Sequence, residues 1–197
     1  MTSSANSVRI IGGVHRGRRL SFPDLAGLRP TGDRMRETLF NWLQPRIAGA
    51  HCLDLFAGSG ALGLEAASRG AGRVVMLDLA FQVVGQLREN VRLLRLPQVE
   101  IVQADAMQWL RSPVGRFDIL FLDPPFGADL TLEVCRLLLR HGGLNEAALL
   151  YLECDLKAAP PPLPEGLSLI KEQRMGRVWC GLARYTGGQG DAPDPTK

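Results

Sequence analysis

Four aspartates, Asp54, Asp78, Asp105 and Asp123, follow short apolar stretches at intervals of 24, 27 and 18 residues. Each interval is about one strand–helix unit long. In a parallel sheet, residues at successive strand ends line one crevice, which is where open α/β folds bind ligands. Carboxylates there suit a ligand rich in hydroxyl and amine donors. Asp78 is placed to accept hydrogen bonds from ribose hydroxyls, and Asp105, in Gln103-Ala104-Asp105-Ala106, from an adenine amine. A single aspartate after a strand does no more than cap the next helix. Four in register go beyond that role.

The first acid opens a glycine-rich segment, Asp54-Leu55-Phe56-Ala57-Gly58-Ser59-Gly60-Ala61-Leu62-Gly63. Gly58 and Gly60 permit a tight turn and close backbone approach to a ligand, and Gly63 lets the next helix lie near the sheet. Formally this is GxGxxG, with Asp78 fifteen residues beyond Gly63. A nicotinamide-dependent oxidoreductase fits the same letters. Asp54 weighs against it, because a pyrophosphate at this turn gains nothing from an added carboxylate. No histidine or tyrosine constellation supports hydride transfer: His15, His51 and His141 are scattered, and His51 begins an apolar strand, where a structural role is expected.

The last acid opens Asp123-Pro124-Pro125-Phe126, directly after the apolar run 117–122. The two prolines fix the backbone and donate no hydrogen bonds, so main-chain carbonyls are presented as acceptors. A carboxylate beside such a carbonyl makes a site for an amine, and Phe126 adds a flat face for stacking. The tetrapeptide suits a planar heterocycle with an exocyclic NH2.

These residues need a scaffold, and the hydrophobic pattern supplies one. Short strands are expected over 51–56, 73–78, 99–103, 117–122 and 147–153. Helices are expected over 61–68, 81–96, 106–110 and 130–141. The alternation argues for a mostly parallel α/β sheet covered on both faces. Segments 167–174 and 177–185 flank Met175-Gly176 and read as a C-terminal antiparallel hairpin. The Pro-rich 158–164 stretch reads as a turn or linker. Upstream, residues 8–20 around Gly12-Gly13 read as a small basic hairpin. Thr31 or Asp33 then caps a helix carrying Met35, Leu39, Phe40, Trp42 and Leu43 at helical spacing. The expected organisation is an N-terminal hairpin-and-helix extension over 1–46, a catalytic domain over 47–186 and a disordered tail over 187–197.

Composition agrees with an ordinary globular chain of 197 residues, 46% hydrophobic and 22% charged. That length buries roughly 70% of the unfolded surface, enough for a core without disulfides or metal. Cys52, Cys135, Cys154 and Cys180 are far apart with no CxxC pair, so neither a zinc site nor a disulfide framework is expected. No apolar run reaches the ~20 residues of a membrane span, and the start lacks a signal-peptide pattern, so a cytoplasmic location is expected. No long apolar stripe suggests a partner subunit, and a monomer is expected. Charge is uneven. Residues 1–46 hold eight arginines against three acids, a local +5 in a chain of net +3, which leaves −2 for the remainder. The extension is therefore expected to meet a polyanion, with Arg16, Arg18 and Arg19 as its backbone clamp.

Taken together, Asp54–Gly60, Asp78, Asp105 and Asp123–Phe126 resemble the motif series of S-adenosylmethionine-dependent methyltransferases acting on exocyclic amines. The segment Leu28-Arg29-Pro30-Thr31-Gly32-Asp33-Arg34-Met35-Arg36-Glu37-Thr38-Leu39-Phe40-Asn41, with Arg9-Ile10-Ile11-Gly12-Gly13 and Gly17-Arg18-Arg19-Leu20 upstream, narrows this. The chain resembles the RsmD family of small-subunit (16S) rRNA guanine-N2 methyltransferases from about residue 8 to 185.

The resemblance implies a Rossmann-like sheet and S-adenosylmethionine as cofactor, with no metal. Phe56, Ala57, Gly58, Ser59 and Gly60 would wrap its methionine and ribose portion. Asp54 would approach its ammonium, Asp78 and Leu79 its sugar region, and Asp105 and Ala106 its adenine. Thr31 and Arg34 would close the methionine end. Asp123 and the Pro124 carbonyl would hold the guanine amine, with Pro125 fixing the turn and Phe126 stacking on the base. The expected partner is small-subunit rRNA, alone or in a partly assembled 30S particle. The family often carries a Glu two residues before the strand-end Asp. Met76 stands there, so the ribose contact is expected to fall to Asp78 alone. Alternatives are an adenine-N6 methyltransferase on DNA or RNA, transfer to a protein glutamine amide, the oxidoreductase above, and a noncatalytic ribosome-assembly factor.

Overall fold

The computed structural model describes residues 6–25, 31–124, 128–155, 160 and 162–187. The expected disordered tail, Pro125 and Phe126, and much of the Pro-rich linker lie outside the described residues. Two antiparallel strands come first, β1 (Asn6–Arg9) and β2 (Arg19–Phe22), paired Asn6 to Phe22 and Arg9 to Arg19. Helix α1 (Asp33–Leu43) follows. Then come β3 (His51–Asp54), α2 (Ala61–Ser68), β4 (Arg73–Asp78), α3 (Phe81–Leu94), β5 (Val99–Gln103), α4 (Ala106–Trp109), β6 (Phe117–Leu122) and α5 (Ala128–Arg140). The chain closes with β7 (Leu144–Asp155), β8 (Leu167–Met175) and β9 (Val178–Tyr185).

Strands β3 to β9 form one seven-stranded sheet in the order β5-β4-β3-β6-β7-β9-β8. The first five run parallel, and β9 is antiparallel to both β7 and β8. The order reverses between β3 and β6. A crevice opens at such a switch point, outside the carboxyl ends of the two strands. Asp54 ends β3 and Asp123 follows β6, so the topology brings these acids to the two sides of that crevice.

Strand residues alternate between two cores. Cys52, Val74, Met76, Phe121 and Tyr151 face one side, together with Val8, Leu20, Met35, Leu39 and Phe40. The N-terminal extension therefore has no separate core: its apolar face completes the core of the sheet, with the Phe40 and Phe121 rings 6.0 Å apart at 48°. Leu53, Val75, Leu77, Leu120 and Leu122 face the other side, under α4 and α5. All four cysteines are buried and free. No helix among the described residues is long and apolar enough to cross a membrane.

Several boundaries differ from expectation. Helix α1 is capped by neither Thr31 nor Asp33: Gly32 is the N-cap and no side chain caps the turn. The Thr31 side chain lies beside the strand-end carboxyls of Asp123 and Glu153 instead. Helix α3 ends at Leu94 rather than at 96, because Arg95 turns left-handed at φ 54° before Pro97 is reached. Strand β7 starts at Leu144 rather than 147. Ala147, at φ 55°, bends it, and its pairing with β6 shifts between Phe117 and Ile119. Gly12-Gly13 lies between the hairpin strands, pressed on the end of α2. His51 is exposed at the start of β3.

Candidate active site

Asp54 is 3% exposed, and its carboxylate accepts the Gly63 N–H at 3.0 Å, nine residues on. This bond closes the turn between β3 and α2. Gly58 and Gly60 lie at φ 51° and 79°, the left-handed region that favours glycine. A Cβ on Gly60 would sit 2.6 Å from the Leu87 side chain. Gly63 rests on Met76, where an added Cβ would stand 2.7 Å from the sulfur. This explains Met76. It lies inside β4 beneath α2, and the strand ends at Asp78, so an acid at 76 would face the core rather than a ligand.

Asp78 ties the loop down from the next strand. Its Oδ2 accepts the Gly58 N–H at 2.9 Å and its Oδ1 the Ala80 N–H at 2.8 Å. Leu79 beside it is 66% exposed, and Phe81, which opens α3, is 72% exposed. Asp105 caps α4 through the Gln108 N–H at 2.9 Å, and Ala106 is buried behind it. Phe56 and Gly58 are half-buried, whereas Ala57 and Ser59 are buried.

Burial pushes the Asp54 carboxyl up to about 7; N–H donors from Gly63 and Phe56 oppose this, and the charges of Asp123 and Asp78 add to it. Burial likewise raises Asp123 to about 6 against a hydrogen bond from Thr31. Glu153, near the end of β7, rises to about 8 through burial and then the neighbouring Asp123 charge, with Tyr151 and Thr31 opposing. Among the described residues, no lysine or arginine forms an ion pair with any of these acids. The crevice thus concentrates negative charge that a cationic ligand would relieve. A ligand with an ammonium and a sulfonium fits this donor set; an anionic pyrophosphate does not.

The site residues expected from sequence do not all converge. Thr31 reaches Asp123 and Glu153. Arg34 is exposed on α1. The arginine that matters inside is Arg36, 1% exposed, whose Nε donates to the Thr31 carbonyl at 3.1 Å. Arg36 also meets Asp33 at 2.6 Å and Glu65 at 3.5 Å. Glu65, fully buried on α2, accepts the Ile11 and Gly12 N–H groups at 2.8 and 2.7 Å and Arg69 at 2.7 Å. Neither Arg36 nor Glu65 stands out in sequence. An acid within the apolar run 61–67 was the available signal. Arg16, Arg18 and Arg19 are all exposed, on the hairpin loop and at the start of β2.

A sheet of this order, a glycine turn at its switch point and acids at its strand ends define a Rossmann-like S-adenosylmethionine-dependent methyltransferase. A Thermus thermophilus 16S rRNA N2-guanine methyltransferase, solved with S-adenosylmethionine and guanosine, shares the fold at a TM-score of 0.66 and 23% identity, over 93% of this chain and 50% of that one. The family described as Conserved hypothetical protein 95 matches residues 8–184. Ribosomal RNA small subunit methyltransferase D of Escherichia coli K12 is 44% identical over 191 residues, 96% of each chain. The solved structure of Escherichia coli yhhF superposes with a TM-score of 0.86 at 42% identity, covering 92% of this chain and 99% of that one. The chain belongs to the RsmD family.

Proposed function

We propose that this methyltransferase modifies the exocyclic N2 of a guanine in small-subunit rRNA. The observation that carries the reading is Asp123: a half-buried carboxylate at the switch point, beside Thr31 and followed by Pro124. The name of the Escherichia coli relative supports the rRNA substrate. The arginine-bearing hairpin supports a polyanionic partner, and a partly assembled small subunit is included among its forms.

When bound, S-adenosylmethionine supplies an electrophilic methyl group on a sulfonium. Asp54 and the 56–60 backbone hold the cofactor's methionine end, Asp78 and Leu79 its ribose, and Asp105 with Ala106 its adenine. Asp123 and the Pro124 carbonyl accept the two amine hydrogens. That pair pulls the nitrogen toward a pyramidal shape and frees a lone pair otherwise delocalised into the ring. The same acceptors stabilise positive charge developing on nitrogen, an effect strongest where water is excluded. As the N–C bond forms, the S–CH3 bond would break to leave S-adenosylhomocysteine, and the surplus amine proton would pass to Asp123 or to water. The stacking role that the resemblance gives Phe126 falls outside the described residues, and orientation supplies the rest of the acceleration. Arg16, Arg18 and Arg19 hold the RNA backbone. A paired target must be extruded at a cost of a few kcal/mol.

The test is transfer of labelled methyl from S-adenosylmethionine to unmodified rRNA and to partly assembled small subunits, with nucleoside analysis of the product. Label in N2-methylguanosine, lost in Asp123→Ala, is expected. Label in N6-methyladenosine would keep the amine chemistry and replace the base, because the Asp123–Phe126 motif suits either amine.

A further inference from the structure

Asp123 does not stand alone. Leu122 of β6 pairs with Leu152 of β7, so Asp123 and Glu153 leave adjacent parallel strands side by side, on the face shared by Phe121 and Tyr151. The Tyr151 hydroxyl donates to Glu153 Oε2 at 2.8 Å. The Thr31 side chain lies beside both carboxyls and lowers each of them, and its backbone carbonyl is pinned by Arg36 at 3.1 Å. One hydroxyl carries one proton and cannot donate to two anions at once. The arrangement is satisfied when Tyr151 donates to Glu153, a protonated Glu153 donates to Thr31, and Thr31 donates to Asp123. Every donor then points toward one negative charge, on Asp123, and such chains reinforce one another.

We propose that Glu153 is a positioning residue for methyl transfer: held beside Asp123 by strand register and bridged to it through Thr31, it keeps the shared proton so that Asp123 stays the anionic acceptor. This rests on the reading of Asp123 as the amine-binding group. Asp54 faces Asp123 across the crevice, and Cys180 of β9 pairs opposite Glu153, with Cys154 adjacent in sequence. Among the described residues no cation pairs with either carboxyl. When Glu153 loses its proton, two anions compete for the Thr31 hydroxyl and repel, and Asp123 shifts. A displacement near 1 Å at a reacting group costs on the order of 100-fold in rate.

The experiment compares pH–rate profiles of wild type, Glu153→Gln and Tyr151→Phe, alongside 13C NMR titration of carboxyl groups in the cofactor-free protein. The wild type should lose activity on the alkaline side as Glu153 ionises. Glu153→Gln, a neutral stand-in for the protonated acid, should stay within about threefold of wild type at pH 7 and lack that alkaline fall. Tyr151→Phe removes a donor that favours ionised Glu153, so the fall should move to higher pH. It also keeps the test open should Glu153→Gln not fold. The NMR titration should show a glutamate carboxyl ionising well above the ordinary range and missing from Glu153→Gln. An alkaline limb unchanged in Glu153→Gln, or a Glu153 carboxyl that titrates normally, overturns the proposal. If Asp123→Asn is fully active, the reading of Asp123 falls, and the catalytic role of Glu153 with it. The NMR titration would still report the carboxyl pair, so the two failures are distinguishable.

Discussion

Gly13 lies against the carbonyl of Ser68 with no room for a side chain, at φ 76°. The Val14 N–H donates to that carbonyl at 2.9 Å, the Ser68 hydroxyl donates to the Gly12 carbonyl at 2.6 Å, and the His15 N–H donates to the Ser68 hydroxyl at 3.0 Å. The hairpin loop is therefore bolted to the last turn of α2. The first turn of the same helix opens at the glycine loop. The basic loop and the cofactor turn are two ends of one rigid element.

Gly13→Ala should break this joint. A methyl there overlaps the Ser68 backbone and meets a left-handed conformation, which costs about 1–3 kcal/mol before the lost hydrogen bonds are counted. Urea unfolding should show that loss. RNA affinity should fall further than affinity for S-adenosylhomocysteine, since the glycine turn at the other end of α2 keeps its bonds to Asp54 and Asp78. Equal losses of both affinities would mean that the joint only stabilises the fold.

Replacing Arg16, Arg18 and Arg19 together by glutamine should leave stability nearly unchanged, because all three are exposed. Each phosphate contact contributes roughly 0.7–0.9 to the slope of log affinity against log salt. The slope for rRNA should flatten by about 2 units. A slope equal to that of wild type would move the RNA interface elsewhere.

Asp54→Asn separates function from stability. The buried carboxyl is disfavoured as an anion by burial and by the charges of Asp123 and Asp78. A neutral amide can still accept from Gly63. At pH 8 the ligand-free variant should be as stable as wild type or about 1 kcal/mol more so, since each unit of pKa shift corresponds to about 1.4 kcal/mol. Binding of S-adenosylhomocysteine, followed by calorimetry, should fall at least tenfold. A destabilised variant with normal binding would make Asp54 purely structural.

The same acids set the pH dependence. Asp54, Asp123 and Glu153 are raised to about 7, 6 and 8. Their unfolded values lie near 4. Between these limits the folded chain binds more protons than the unfolded one, so stability falls as pH rises. Their contribution is fully present below pH ~4 and lost through the folded values. Asp33, partly desolvated but paired with Arg36 and Arg9, is lowered and acts only on the acid side of this window. The melting temperature of ligand-free protein should therefore drop from pH 5.5 to 8.5. Affinity for S-adenosylhomocysteine, whose ammonium favours ionised carboxylates, should rise over the same range. A melting temperature that climbs with pH would contradict the burial of these charges.

Much of this site was legible because its signals are local. The glycine turn, the strand-end acids and the Asp-Pro pair each sit where a period of alternating strand and helix says a strand ends. Spans 61–68, 73–78, 99–103 and 117–122 match the structure to the residue. What escaped is long-range. Glu153 looks like one more residue of an apolar strand until β7 is set beside β6. Arg36 looks like one more surface arginine until α1 turns it inward to Thr31 and Glu65. Gly12-Gly13 reads as a turn because the helix end it rests against is about 55 residues away. Contacts across such separations leave no period in the sequence.

Asp78 tests whether an acid at a strand end holds the loop or only the ligand. Its two oxygens accept N–H groups from different segments, Gly58 in the glycine turn and Ala80 at the start of α3. Asparagine offers one acceptor oxygen in place of two, so Asp78→Asn must leave one of these donors without its partner. An unpaired, partly buried N–H costs about 1–3 kcal/mol. If Gly58 is released, the turn loosens on the cofactor side, and KM for S-adenosylmethionine should rise by 10-fold or more while kcat with saturating cofactor falls little, because Asp123 is untouched. If Ala80 is released instead, stability should fall with the Gly58 turn intact, and KM should rise only through the lost ribose contact. Hydrogen exchange at the Gly58 and Ala80 amides tells the two apart. The proposed ribose contact requires KM to rise in either case; unchanged KM together with protected Gly58 would confine Asp78 to holding the backbone.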